Sequence, residues 1–287
     1  MKKFVFDIIV ILIITFVSGE IISRLFELQS ENIKFIVKDN EGFYSNKPNS
    51  LGEFIFGKYP TIYKNKFRLN DIGFNSKLDF KQLNDSLVNV AFLGDSFVES
   101  YHVDYNNSLS SILMEKHKNF QSFDFGVSGY AINDFIDIYK KYNLESFKYV
   151  FLIINLDDIT NGRTRSKYNL NKERFRELYN SSHFFSYLNF NHKIFSSIQS
   201  IFKSKSIISN SEHILDLNQK DFLNKKNIIV MPRDKETYKF LIKNKINNLV
   251  KIKHNLTPYD YGFDSHWNLN GTNNVINSLD SILISDH

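Results

Sequence analysis

Hydrophobic positions along this 287-residue chain follow three successive patterns. Directly after Lys2 and Lys3, an apolar run broken only by Asp7 extends to Val17, and Glu20 and Arg24 stand beyond it. A helix rising 1.5 Å per residue needs about 20 residues to cross a bilayer. Residues 4–22 meet that length with Asp7 and Glu20 near the two interfaces. The lysines then stay cytoplasmic, which predicts a single-pass protein of the inner or plasma membrane with its remainder outside. Two alternatives stand beside this reading. Val17-Ser18-Gly19 has the small-residue spacing of a signal-peptidase site, and an apolar helix also suits a soluble core. The pattern continues through Ile21, Ile22 and Leu25 past the candidate cut, so the expectation is an uncleaved anchor over residues 1–25.

Residues 26–85 mix aromatics, Asn and Gly without sustained period, as in "EGFYSNKPNSLGEF" and "FRLNDIGFNS". They read as an N-terminal extension of short strands and turns. From residue 86 apolar runs alternate with amphipathic stretches. Strands are predicted at 87–93, 123–127, 149–154 and 227–231, with another suggested by "VKIKH". Helices are predicted at 108–117, 132–143, about 235–249 and 269–284. Short apolar runs separated by helices imply parallel strands joined by crossovers, so residues 86–287 are expected to form an α/β domain with a central parallel sheet.

In such sheets functional groups gather beyond the carboxyl ends of the strands. Four stretches meet that condition: Gly94-Asp95-Ser96, Gly126-Val127-Ser128-Gly129, Asn155-Leu156-Asp157-Asp158, and "DSHWNLNGT" ahead of the last helix. A serine hydroxyl is a poor nucleophile unless a base takes its proton and a third group orients that base. Among eight histidines, His266 has an Asp two positions earlier, and that spacing lets Asp264 reach Nδ1 while Nε2 faces Ser96. Each half also has a plainer reading, because Ser after Gly-Asp and Asp-Ser-His both suit helix N-caps.

Composition narrows the field. The chain has 28 Phe and 15 Tyr against 4 Pro and 11 Gly, which excludes a disordered chain. With no cysteine there is neither a thiol nucleophile nor a thiolate metal site. A net charge of +5 without a nucleic-acid-binding motif gives no reason to expect nucleic acid as a partner. No Walker loop, dinucleotide fingerprint or His-Glu-x-x-His motif occurs, and Asp157-Asp158 alone makes a poor cation site, so neither metal nor cofactor is expected. Charge is uneven, however. Within an insertion at 161–210, nine cations (Arg163, Arg165, Lys167, Lys172, Arg174, Arg176, Lys193, Lys203 and Lys205) face only Glu173 and Glu177. Phe184, Phe185, Tyr187, Phe190, Phe195 and Phe202 are interleaved among them. Such a segment suits either a lid packed on the sheet or a surface for anionic lipid or acidic glycan.

The blocks "FLGDSF", "FGVSGY", "NLDD" and "DSHWN" stand in the order and approximate spacing of blocks I, II, III and V of the SGNH/GDSL hydrolase superfamily. "FRLNDIGF" resembles a segment of its membrane-anchored, envelope-associated bacterial members. The resemblance covers about residues 66–285. It implies a three-layer flavodoxin-like fold, Ser96 as nucleophile, His266 as base, Asp264 as its orienting carboxylate, and an oxyanion hole built from the N–H groups of Ser96 and Gly129 with a block III amide.

Here the sequence departs from the pattern. Asp157 occupies the amide position and Asn155 stands two residues earlier, where Gly is usual. Losing one oxyanion donor typically costs about 10²–10³ in rate. Asn155 swinging in, a protonated Asp157 or two backbone donors alone would each compensate.

Asp95, Tyr130 and Trp267, beside these positions, are the candidate substrate contacts, although the aromatics also suit packing. The expected substrate is an acylated carbohydrate of the cell envelope or another small ester, with O-acetyl removal or transfer as the reaction. The alternative is a non-catalytic glycan-binding scaffold that partners a membrane acyltransferase.

Overall fold

A computed structural model describes residues 2–28, 36–38, 44–56, 63–160, 182–192, 215–252, 260–261 and 265–284. The nine cations of the 161–210 insertion and Asp264 lie outside the described residues. In chain order the helices are α1 (Lys2–Leu25), α2 (Ser96–Glu99), α3 (Leu109–Lys116), α4 (Ile132–Lys141), α5 (Leu156–Thr160), α6 (His183–His192), α7 (Leu217–Leu223), α8 (Lys235–Lys243) and α9 (Leu269–Ile284). The strands are β1 (Ile36–Lys38), β2 (Tyr44–Asn46), β3 (Leu51–Phe56), β4 (Tyr63–Arg68), β5 (Val88–Gly94), β6 (Phe120–Gly126), β7 (Tyr149–Ile154) and β8 (Ile228–Pro232).

The chain divides into two compact units. The smaller comprises Met1–Phe35, Gly52–Lys64 and Asn169–Asn210. Its α1 is long and apolar enough to cross a membrane, with a mean hydropathy of 2.5 over its best window, none of it buried. Phe4, Phe6, Ile11 and Leu12 are each more than 60% exposed, so among the described residues the first half of α1 is not enclosed as a core helix would be.

The larger unit comprises Ile36–Leu51, Asn65–Tyr168 and Ser211–His287. Its centre is a parallel sheet in the order β6-β5-β7-β8. The period-2 alternation of side chains sends each strand's residues to two cores. Ala91, Leu93, Val150, Leu152 and Ile154 pack on one face with Phe135 and Ile138 of α4, Phe222 of α7 and Leu241 of α8. Val90, Phe92, Phe151 and Ile153 pack on the other with Leu109 and Leu113 of α3 and Val275, Ile276 and Leu279 of α9. The result is the α/β domain with a central parallel sheet expected from the alternating pattern, in the three layers that the resemblance implies. The first strand of this sheet, β5, lies between the second and the third, so the order reverses there. A crevice at such a reversal is where ligands bind in open α/β sheets.

Two local expectations need correction. The helix beginning at Lys235 ends at Lys243 rather than 249, because Asn244 caps it and Lys245 takes a positive φ of 61° that stops propagation. "VKIKH" forms no strand among its described residues; the chain makes a single parallel bridge, Val230 to Leu249, at the outer edge of β8.

The block "FRLNDIGF" lies within the larger unit and braces it. Asn70 Oδ1 accepts from the N–H groups of Ile72 and Phe74, a side-chain-closed turn. That turn drives Phe74, fully buried, against Phe125 and Tyr142.

Candidate active site

The turn after β5 answers what Ser96 does locally. Asp95 is the N-cap of α2 and its carboxylate accepts from Phe97 N–H at 3.0 Å. Ser96 is therefore the first helical residue, relieved of capping, and half-buried at the rim. α2 stops after four residues because Ser100 adopts a left-handed conformation, φ 58°.

His266 precedes α9, whose cap is Asn268: Oδ1 accepts from Gly271 N–H at 3.0 Å. The imidazole is again left over from capping. Its Nε2 lies 2.8 Å from Ser96 Oγ, a hydrogen bond joining residues 170 positions apart. The ring stacks on Phe97 with centroids 4.6 Å apart and on the imidazole of His102 at 5.1 Å. Trp267 meets the edge of Phe97 at 4.9 Å and is only 6% exposed, and Tyr130 is 5% exposed within the opposite core. The structure thus packs both aromatics proposed as substrate contacts rather than opening their faces. Asp95 points to Arg233, with Nη1 3.4 Å from its Oδ2.

Block II reaches the same rim through a close approach. A Cβ on Gly126 would lie 2.0 Å from the backbone nitrogen of Glu99, so only glycine lets β6 run against α2. Glu99, 4% exposed, then fastens the loop: Oε2 accepts from Ser128 N–H at 3.0 Å and from the Ser128 hydroxyl. Its other oxygen accepts from Asn46 Nδ2 at 3.3 Å, and its carbonyl from Asn75 Nδ2 at 2.7 Å. Gly129, beyond this fastening, is exposed with φ 74°. Among the described residues neither Ser96 N–H nor Gly129 N–H has an acceptor.

In block III, Asn155 and Asp158 close a reciprocal box over α5. Asp158 N–H donates to Asn155 Oδ1 at 2.9 Å, and Asn155 N–H donates to Asp158 Oδ2 at 2.8 Å. Among the described residues Asn155 Nδ2 has no acceptor. Asp157 is exposed. The buried carboxyl is Asp158: burial, and then the charge of Asp95, push it up to about 7.

Three side chains at this site escaped the sequence reading. Arg233 immediately follows β8, its guanidinium carbon 3.5 Å from the Phe97 ring centre and its Nε buried without a partner. The signal was there, since Arg233 stands two residues beyond the fourth apolar run. Glu99 and His102 gave no such signal. His102 is 3% exposed, its Nε2 has no hydrogen-bond partner, and burial, followed by the charges of His266 and Arg233, holds its pKa well below the usual histidine value. Among the described residues no group of three or more His, Asp or Glu is placed to hold a metal ion.

The parallel sheet and the Ser96–His266 contact agree with the arrangement that the sequence resemblance implies. The sequence matches no protein-family model and no curated protein. Among solved structures the chain is similar to a member of the lipolytic protein G-D-S-L family from Veillonella parvula, at 12% identity and a TM-score of 0.35, covering 67% of this chain and 95% of the other. It is also similar to a G-D-S-L family protein from Desulfitobacterium hafniense, at 12% identity and a TM-score of 0.34, covering 67% and 99%.

Proposed function

We propose that the protein is a serine-dependent ester hydrolase or O-acyltransferase that works through an acyl-enzyme on Ser96. The observation carrying this reading is the 2.8 Å contact between His266 Nε2 and Ser96 Oγ. That is the distance a base needs to take the hydroxyl proton. As Oγ bonds to the ester carbonyl carbon, its proton passes to His266 and the carbonyl π electrons move onto oxygen. The N–H groups of Ser96 and Gly129 receive that oxyanion, and the unclaimed amide of Asn155 supplies a third donor in place of Asp157. Collapse expels the alcohol, which takes the proton from His266. Water or a sugar hydroxyl then gives its proton to His266 and attacks the acyl carbon; the bond from that carbon to Oγ breaks, and His266 returns the proton to Ser96 Oγ. Asp264 is the proposed partner for Nδ1.

The substrate proposed is an O-acetylated glycan of the cell envelope, reached from an extracytoplasmic domain tethered by α1. The exposed carboxylate of Asp157 favours a second reading, a glycan-binding scaffold that partners a membrane acyltransferase. A fluorophosphonate probe and an aryl acetate separate the two. Labelling and turnover in the wild type, both abolished by Ser96→Ala, establish the enzyme. An unlabelled wild type with intact fold leaves the scaffold.

A further inference from the structure

Within the smaller unit, the outer end of α1 is engaged by α6. Glu20 accepts from the Ser182 hydroxyl at 2.7 Å, from Phe184 N–H at 3.0 Å and from His183 N–H at 3.2 Å, while Arg24 Nε donates to it at 2.8 Å. The carboxylate therefore sits on the first turn of α6, where free N–H groups and the helix dipole favour negative charge. Aromatic packing continues the joint. Phe16 meets Phe184 at 6.4 Å and Phe185 at 5.0 Å, and a Cβ on Gly19 would lie 2.7 Å from the Phe184 ring. Ser23 and Ser182 are buried, at 1% and 7% exposure.

Two consequences follow from where this joint falls. Val17-Ser18-Gly19 is the candidate signal-peptidase site, yet Phe16 before the cut and Gly19 and Glu20 around it all bear on α6. A segment destined for removal has no such commitments to the finished protein. Along the helix, Glu20 is about 27 Å from Lys2, close to the roughly 30 Å hydrocarbon thickness of a bilayer. A carboxylate at that depth needs partners, and α6 supplies them. Most of the rest of α1 is exposed among the described residues and, apart from Asp7, apolar beyond its two leading lysines, with lipid as its natural surrounding. α6, "HFFSYLNFNH", carries aromatic side chains suited to the interface, Phe185 remaining 37% exposed.

We propose that α1 is retained in the mature protein and that α6 docks on its outer end within the interfacial layer of the bilayer, the two forming one membrane-seated element closed by Glu20. Intact-mass measurement of the full chain extracted from membranes tests retention. The expected species carries its first 19 residues; a mature N-terminus between Ser18 and Ile21 overturns the proposal.

The lipid contact is tested on the same full-length protein, which has no native cysteine. A Leu188→Cys variant carrying a bimane fluorophore is placed in phosphatidylcholine–phosphatidylglycerol vesicles. Shallow spin-labelled lipid should quench the fluorophore and aqueous iodide should not; the reverse pattern overturns the docking. Glu20→Ala and Gly19→Leu should each raise iodide quenching at least threefold without changing aryl-ester turnover. Quenching that stays at the parent level in both variants overturns the role given to Glu20.

Discussion

Glu99→Gln probes how the proposed oxyanion donors are held in place. In the native site one carboxylate oxygen accepts two hydrogen bonds from Ser128 and the other accepts from Asn46. Gln offers a single neutral acceptor, so charge-assisted bonds worth about 1.5–3 kcal/mol each become neutral ones of about 0.5–1.5. The loop bearing Gly129 is then held less firmly by about 1–2 kcal/mol. Each 1.36 kcal/mol is a factor of ten in rate, so kcat/KM on an aryl acetate should fall roughly 5- to 30-fold. Complete loss of one oxyanion donor, about 10²–10³, sets the ceiling. The oxyanion exists only in the transition state, so kcat and kcat/KM should fall together while KM holds. A rise in KM at unchanged kcat, or activity within twofold of wild type, would refute the assignment of Glu99 as a positioning residue.

Gly126→Ala should destabilise the fold by at least about 2–3 kcal/mol, because the added methyl meets backbone of α2 rather than a movable side chain; an unshifted denaturation midpoint would contradict the close packing. Asp124 on β6 is fully buried against Ser110, and burial outweighs those hydrogen bonds, pushing its carboxyl from 3.8 up to about 7. Between those values the native state holds a proton that the unfolded state has lost, so stability declines as pH rises from about 4 to 7 and levels off above. The shift corresponds to roughly 4 kcal/mol at most. Asp124→Asn should remove that decline, read as a wild-type-minus-variant difference that slopes over this window; parallel stability curves would exclude the buried proton.

Much of this architecture was legible because strands buried on both faces are written as apolar runs. "YVFLII" became β7 residue for residue, and "LVNVAFL" became β5 shifted by one position. Rim positions followed from the strand ends, which is why Ser96 and His266 could be named together. The helix after Asp234 was overextended because "NKINN" continues an apolar spacing while its Asn residues cap and turn the backbone. What no pattern announced were joins between polar side chains far apart in sequence. Glu99 looks like a surface acid in a turn until Ser128 and Asn46 close over it, and His102 like any loop histidine until His266 stacks on it. Such pairings depend on the tertiary meeting of elements, which periodicity does not encode.

The contact of Phe97 with Arg233, His266 and Trp267 at once has an evolutionary corollary. One ring serves as a shared wall for a guanidinium, an imidazole and an indole carried on separate loops. A change of size at position 97 cannot be absorbed by one neighbour without displacing the others. In diverging descendants of this chain, positions 97, 233, 266 and 267 should therefore drift as a linked set, leaving a covariation signature even where the surrounding loops have lost every other trace of common origin.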